Sequence, residues 1–193
     1  NYLPQYTQWS TFHAPCALHL VSGHLDDLTQ KHLEHVLFGP PPETWLENMI
    51  PLNTAANIAK TWSGHLVGGN LSLLSISPCD VWELDFKDKI ILIEEVNEAP
   101  YRVRRQLKYL ARLAYFDHCH AIIFAGFDFS STNKSPTSSS DMQACLKQFA
   151  DHAKCPVFYT DQVGHGSRNL ALPLHRPVSL VGGDTGRLQS LHA

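Results

Sequence analysis

The chain has 193 residues, of which 44% are hydrophobic and 17% charged, a composition that excludes disorder and a coiled coil. A formal charge of -3, from 15 Lys+Arg against 18 Asp+Glu, removes the electrostatic case for a nucleic-acid binder, and no apolar run approaches the ~20 residues of a membrane span. Five scattered cysteines (16, 79, 119, 145 and 155), with no C-x-x-C pair, argue against a disulfide framework or a thiolate zinc site and for a reducing compartment.

Residues 1–15 mix aromatic and small polar residues and read as strand or loop up to His13-Ala14-Pro15. The stretch from Asn1 to Tyr6 has neither the basic nor the apolar segment of a signal peptide, and no initiator Met, so sequence before residue 1 is expected to be missing. A helix is expected from about Leu25 to Leu37. Leu25, Leu28, His32, Val36 and Leu37 fall near one face, and Asp26 and Asp27 suit its positive N-terminal end. Phe38-Gly39-Pro40-Pro41-Pro42 stops it. Thr61 to Asn70 opens a Gly-rich segment, and a domain boundary is expected near residue 62.

Strands and helices then alternate. Lys89 to Glu95 is a short apolar run ending in acids, the pattern of a buried strand with a polar C-terminal end. Pro100 suits the first position of a helix whose apolar face is Val103, Leu107, Leu110, Ala111 and Ala114. His120 to Gly126 is a second buried strand, and the Ser/Thr-rich stretch Ser130 to Ser140 is expected as a mobile surface loop. Asp141 is expected to cap a helix with Met142, Cys145, Leu146 and Phe149 on its apolar face. Pro156 to Thr160 is a third strand. The C-terminus reads as a hairpin, Pro177 to Val181 and Arg187 to Leu191 about a Gly-rich turn. The fold class is therefore mixed α/β.

Three places offer chemistry. Glu94, with Glu95 and Glu98, stands at a strand end, where open α/β sheets place ligands; the plain alternative is three solvated acids in a loop. His165 lies between Gly164 and Gly166, on backbone free to expose an imidazole suited to general-base work, although a surface turn with an incidental His is the plainer reading of that motif alone. Gly68-Gly69-Asn70 permits close backbone approach or a bulge, but no Lys-Ser/Thr and no strand–loop–helix frame mark it as a phosphate loop. His32 with His35, and His118 with His120, lack a third ligand at a recognisable spacing, so no metal site is expected. Arg102, Arg104, Arg105 and Arg112 read as a solvated helix face, one member of which has the fork geometry to bind a carboxylate in bidentate fashion.

The order of these segments carries more than any one of them. Val67-Gly68-Gly69-Asn70-Leu71 is followed by Ile93-Glu94-Glu95-Val96-Asn97-Glu98-Ala99-Pro100-Tyr101, then Ala121 to Phe127, Val163-Gly164-His165-Gly166 and Leu172-Pro173-Leu174. The series resembles the C-terminal half of the LD-carboxypeptidases, serine peptidases that include murein tetrapeptide carboxypeptidases and microcin C resistance peptidases. The resemblance implies a mixed-sheet C-terminal domain of the swivelling β/β/α-like type at 63–193. Before it, residues 1–62 would be the end of a Rossmann-like N-terminal domain, with Thr11 to Pro15 and the following helix as its last elements.

That family uses a Ser–Glu–His triad, and the resemblance places the acid at Glu94 and the base at His165. It implies no cofactor and no metal, a murein peptide or related peptide as substrate, no nucleic-acid or membrane partner, a cytoplasmic location and a homodimer. Asn70 and Arg102 are expected to contact polar groups of the substrate. The nucleophile is expected to lie outside this chain: Ser10 has no neighbouring Gly to form an elbow, and Ser22 stands on the wrong side of the matching segment. The expected activity is cleavage of the amide between an L-centre and a terminal D-residue, with this chain inactive alone. A non-catalytic peptide-binding module and a peptide-nucleotide amidase are the alternatives.

Overall fold

The computed structural model describes residue 7, residues 9–128 and residues 136–191. In chain order the elements are β1 (Thr11–His13), α1 (Ala17–Val21), α2 (Asp27–Phe38), β2 (Thr44–Pro51), β3 (Thr61–Asn70), α3 (Leu71–Ile76), β4 (Lys89–Val96), α4 (Pro100–Arg112), β5 (Ala121–Asp128), α5 (Pro136–His152), β6 (Val157–Thr160), β7 (Leu172–Leu174), β8 (Pro177–Val181) and β9 (Gly186–Ser190). Strands β2-β6-β5-β4-β3-β8-β9 close into a barrel, and β1 pairs with β7 in a separate two-stranded ribbon. Strands β3, β4, β5 and β6 run parallel, joined by the segments that carry α3, α4 and α5. The antiparallel hairpin β8–β9 and strand β2 complete the circuit.

Strand periodicity gives the barrel two apolar faces. Successive side chains point to opposite sides, so Ile90, Leu92, Ala121, Ile123 and Ala125 fill the barrel interior with Leu46, Met49, Phe158, Leu180 and Leu188. Ile91, Ile93, Ile122 and Phe124 face outward and pack beneath α3, α4 and α5, against Leu71, Val103, Leu107, Leu110, Cys145 and Leu146. The continuous apolar runs in β4 and β5 are thus strands buried on both sides.

The parallel strands end in one tier: Asn70 pairs with Glu94, Glu94 with Ala125, and Ala125 with Thr160. That tier is the C-terminal mouth of the barrel, where open α/β architectures bind ligands.

Several expectations need correction. Helix α5 begins at Pro136, not at Asp141, because proline suits a first turn whose N–H groups have no partner. The expected loop therefore ends earlier, and its residues 130–135 lie outside the described residues. Helix α4 stops at Arg112, and Ala114 takes a left-handed φ of 61°, so Ala111 and Ala114 do not extend its buried face of Val103, Leu107 and Leu110. In α2 the expected apolar stripe is only partly core: Leu25, just before the helix, is buried and Val36 packs against the barrel interior, whereas Leu28 and Leu37 are exposed and the buried residue of the helix is Thr29, which faces polar backbone. Strand β2, the closure of the barrel and the β1–β7 pairing went unread in the sequence.

Candidate active site

Glu94 occupies the last inward position of β4, two residues beyond Leu92 on the face that fills the barrel. Only 2% of it is exposed. Glu95, one residue on, faces outward toward the start of α3 and is also buried. Two adjacent acids therefore leave the same strand end in opposite directions.

His165 arrives from the segment after β6, and glycine geometry brings it in. Gly126, at the end of β5, has φ of 50°, and a Cβ there would lie 2.2 Å from the Val163 carbonyl oxygen. Gly164 has φ of 137°, and its own Cβ would meet the Gly126 Cα at 2.9 Å. Only two residues without side chains let these backbones approach so closely. The loop is then tied to the N-terminus of α2. Asp26 caps that helix by accepting from Thr29 N at 2.8 Å and also pairs with Arg168 Nε at 2.9 Å. Asn169 N donates to Thr29 Oγ1 at 3.1 Å, and Asn169 Oδ1 accepts from Gly164 N at 3.2 Å.

The result is a contact of 3.0 Å between His165 Nδ1 and Glu94 Oε2. In its buried position Glu94 Oε2 has no other hydrogen-bond partner. Burial raises the Glu94 carboxyl above its ordinary range and the Glu95 charge adds to the rise, whereas His165 and Asn70 pull it down. The carboxylate beside Nδ1 favours the tautomer with its proton there, leaving Nε2 free to accept one. His165 keeps 39% of its side chain exposed, so the buried acid orients a ring that solvent reaches.

Two further histidines border this pair. His19, on α1, stands edge-on to the His165 ring at 6.5 Å between centroids. His13, at the end of β1, is lowered to about 4 by burial and then by repulsion from His165, so it is neutral around pH 7. The register His13↔Leu172 shows how β1 is delivered there. Neither histidine was singled out from the sequence, because only the β1–β7 pairing brings them to the site.

Against this geometry, residues 63–180 match the LD-carboxypeptidase C-terminal domain family, and the match spans more than half of the chain. The chain belongs to that family. Among relatives of this LD-carboxypeptidase domain, a carboxypeptidase-named protein of Rickettsia conorii is 31% identical over 170 residues, covering 87% of this chain and 51% of the relative. A Bacillus subtilis protein named for murein peptide carboxypeptidase activity is 30% identical over 173 residues, covering 88% of this chain and 52% of its own. The chain thus spans about half the length of the curated relatives it matches. The fold is shared with muramoyltetrapeptide carboxypeptidase from Oxalobacter formigenes, at 23% identity and a TM-score of 0.73, over 93% of this chain and 60% of that one. The microcin C7 self immunity protein MccF shares it too, at 17% identity and a TM-score of 0.73, over 96% and 62% of the two chains.

The remaining expected site residues fall in different places. Asn70 is the N-cap of α3: its Oδ1 accepts from Leu73 N at 3.2 Å and its Nδ2 donates to Glu95 Oε1 at 3.0 Å. Strand β3 runs directly into α3, so a strand–helix junction does frame the glycine pair, contrary to expectation. Gly68 is required there, because at φ of 124° a Cβ would sit 1.9 Å from the Leu92 carbonyl oxygen. Arg102 is exposed on α4, with Tyr101 Oη at 3.0 Å and Glu98 Oε2 at 3.4 Å as its polar partners. Glu98 therefore pairs with Arg102 and leaves the acid role to its neighbours. Ser10 contacts Arg176, and Ser22 Oγ donates to the His19 carbonyl oxygen at 3.2 Å. His32 Nε2 donates to the Ala171 carbonyl oxygen at 3.0 Å, and His120 Nδ1 donates to the Ser63 carbonyl oxygen at 2.6 Å. Among the described residues no group of three His, Cys, Asp or Glu side chains is placed to hold a metal ion.

Proposed function

We propose that the whole protein is a serine-type LD-carboxypeptidase that hydrolyses the amide between an L-centre and a terminal D-residue, such as the terminal D-Ala of a murein tetrapeptide. The observation that carries this reading is the buried Glu94 carboxylate 3.0 Å from Nδ1 of the half-exposed His165, in a chain of this family. In the proposed triad, Glu94 holds the imidazole with its proton on Nδ1 and stabilises the imidazolium as charge develops. His165 Nε2 takes the proton of the attacking serine and returns it to the departing amine, so that amide cleavage needs no free strong acid or base.

The serine is proposed to come from sequence outside this chain, which covers 51% of the Rickettsia conorii relative, and the 193-residue chain is read as inactive alone. Residues 1–62 are proposed to hold the end of the nucleophile-bearing domain and 63–193 the domain of the acid and the base, with β2 (Thr44–Pro51) crossing that division to close the barrel. Arg102 is proposed to meet a substrate carboxylate, and Asn70, which neighbours Glu94 in the β3–β4 register, another polar group of the substrate. The protein is proposed to work in the cytoplasm as a homodimer. Among the described residues no helix is long and apolar enough to cross a membrane.

The test is release of free D-Ala from an L,D-tetrapeptide by the full-length protein. Wild type should release it, with the all-L peptide left intact, and Glu94→Gln should lower kcat by about 10³-fold or more. Binding of the peptide without cleavage would replace this reading with a non-catalytic module. Cleavage confined to an aminoacyl-nucleotide amide would favour the peptide-nucleotide amidase, a reading supported by the shared fold of MccF.

A further inference from the structure

The second acid of the strand end has no part in a triad, yet it is the most thoroughly bonded carboxylate of the site. Glu95 Oε1 accepts from Asn70 Nδ2 at 3.0 Å and from Val96 N at 2.9 Å. Its Oε2 accepts from Ser72 N at 2.9 Å and Ser72 Oγ at 2.7 Å. Two bonds on each oxygen use the normal acceptor capacity of a carboxylate. Gln106 Nε2 donates to Ser72 Oγ at 3.0 Å, which extends the cluster to α4. One buried anion thus joins the ends of β3 and β4 to the starts of α3 and the middle of α4.

The link to the reacting pair runs through Asn70. Its Oδ1 is occupied by Leu73 N and one Nδ2 proton by Glu95, so the amide plane is fixed from both ends. Asn70 is also the register partner of Glu94 across β3 and β4, and a hydrogen bond from its side chain favours the charged form of that carboxyl. An asparagine without Glu95 behind it would be free to rotate about its cap, and Glu94 would lose a neighbour that holds its orientation toward His165.

We propose that Glu95 is a positioning residue for catalysis: acting through Asn70, it fixes the orientation of Glu94 and thereby of the His165 ring. The inference rests on the proposed triad for its kinetic consequences but not for its structural one. A carboxamide in place of Glu95 presents an NH2 group to Asn70 and Val96 N or to Ser72 N, and none of those donors can accept a hydrogen bond. Glu95→Gln therefore breaks at least one side of the cluster without changing its volume.

The test uses the full-length protein and a double-mutant cycle. Glu95→Gln should lower kcat about 10- to 100-fold while KM changes less than about threefold, the mark of a group acting on the transition state. Asn70→Ala should cost a similar factor, and the double variant should be no slower than Asn70→Ala alone, because both substitutions cut one chain. Effects that multiply, or a Glu95→Gln kcat within about twofold of wild type, would overturn the proposal. The ring resonances of His165 in a nitrogen–proton spectrum give a readout independent of turnover: they should shift in Glu95→Gln and in Asn70→Ala alike. Should the wild type cleave no L,D-peptide, the proposed function fails and the spectrum alone decides, unmoved His165 signals refuting the positioning role.

Discussion

Glu94 and His13 are buried ionisable groups that respond to acid in opposite senses. The Glu94 carboxyl is raised by burial, so the native state holds its proton more tightly than the unfolded chain does, and its contribution to stability declines as pH rises above about 4.5. His13 is lowered to about 4 by burial and by His165. The native state holds that proton less tightly, so its contribution is complete above about pH 6.5 and disappears as the pH falls toward 4. His175, also pushed down to about 4 by burial, acts in the same direction. His13→Gln should therefore lose less stability than wild type between pH 7 and pH 5, measured by the urea midpoint at each pH. Parallel losses would show that His13 is not held neutral in the folded protein. The role proposed for Glu94 runs against its energetics: a charged side chain 2% exposed is kept where an uncharged one would fold more easily.

At the level of elements, the site depends on contacts between backbones. The end of β5 and the loop bearing His165 approach through Gly126 and Gly164, with no side chain between them. In Gly126→Ala the new methyl would lie 2.2 Å from the Val163 carbonyl oxygen, at a φ of 50° that L side chains rarely adopt. The expected cost is about 2 kcal/mol or more by chemical denaturation. The full-length enzyme should also lose about 100-fold in kcat, since a shift near 1 Å misaligns the base. A variant as stable and as active as wild type would show that the loop accommodates the methyl and that the close approach is not what seats His165. The motif Gly164-His165-Gly166 was visible in the sequence, but its reason was not. Glycine on both sides looked like freedom to expose an imidazole, whereas Gly164 answers a partner, Gly126, 38 positions earlier in the chain.

Across the whole molecule, the barrel is well filled and the N-terminal region is not. Trp45 is buried at the barrel wall, with its Nε1 donating to Ser190 Oγ at 2.8 Å. Helix α1 buries none of its residues, and Leu18, Leu20 and Val21 are 70%, 46% and 82% exposed. An apolar face of this kind marks a surface that expects a neighbour, and the relatives extend over about twice this length. Val21→Cys in the native full-length protein should react with a maleimide at least tenfold more slowly than in the denatured protein, read by peptide mass. Equal rates would mean that the rest of the protein does not cover α1.

The sequence by itself determined the features that depend on near neighbours. Apolar runs of strand length, the helix faces of α4 and α5, the closing hairpin and the acid at the tip of β4 all follow from spacing, because side-chain direction repeats every two residues in a strand and every 3.6 in a helix. The order of its motifs was enough to point to the family. The tertiary structure alone decided which of three acids faces His165, since Glu94 and Glu95 leave β4 on opposite sides and Glu98 lies in the loop before α4. It also decided that β2 closes the barrel and that β1 pairs with β7, which carries His13 and His19 to His165. Those pairings join residues more than 100 positions apart. Their stabilisation comes from burying faces against one another, and a single segment holds no record of the partner that will cover it.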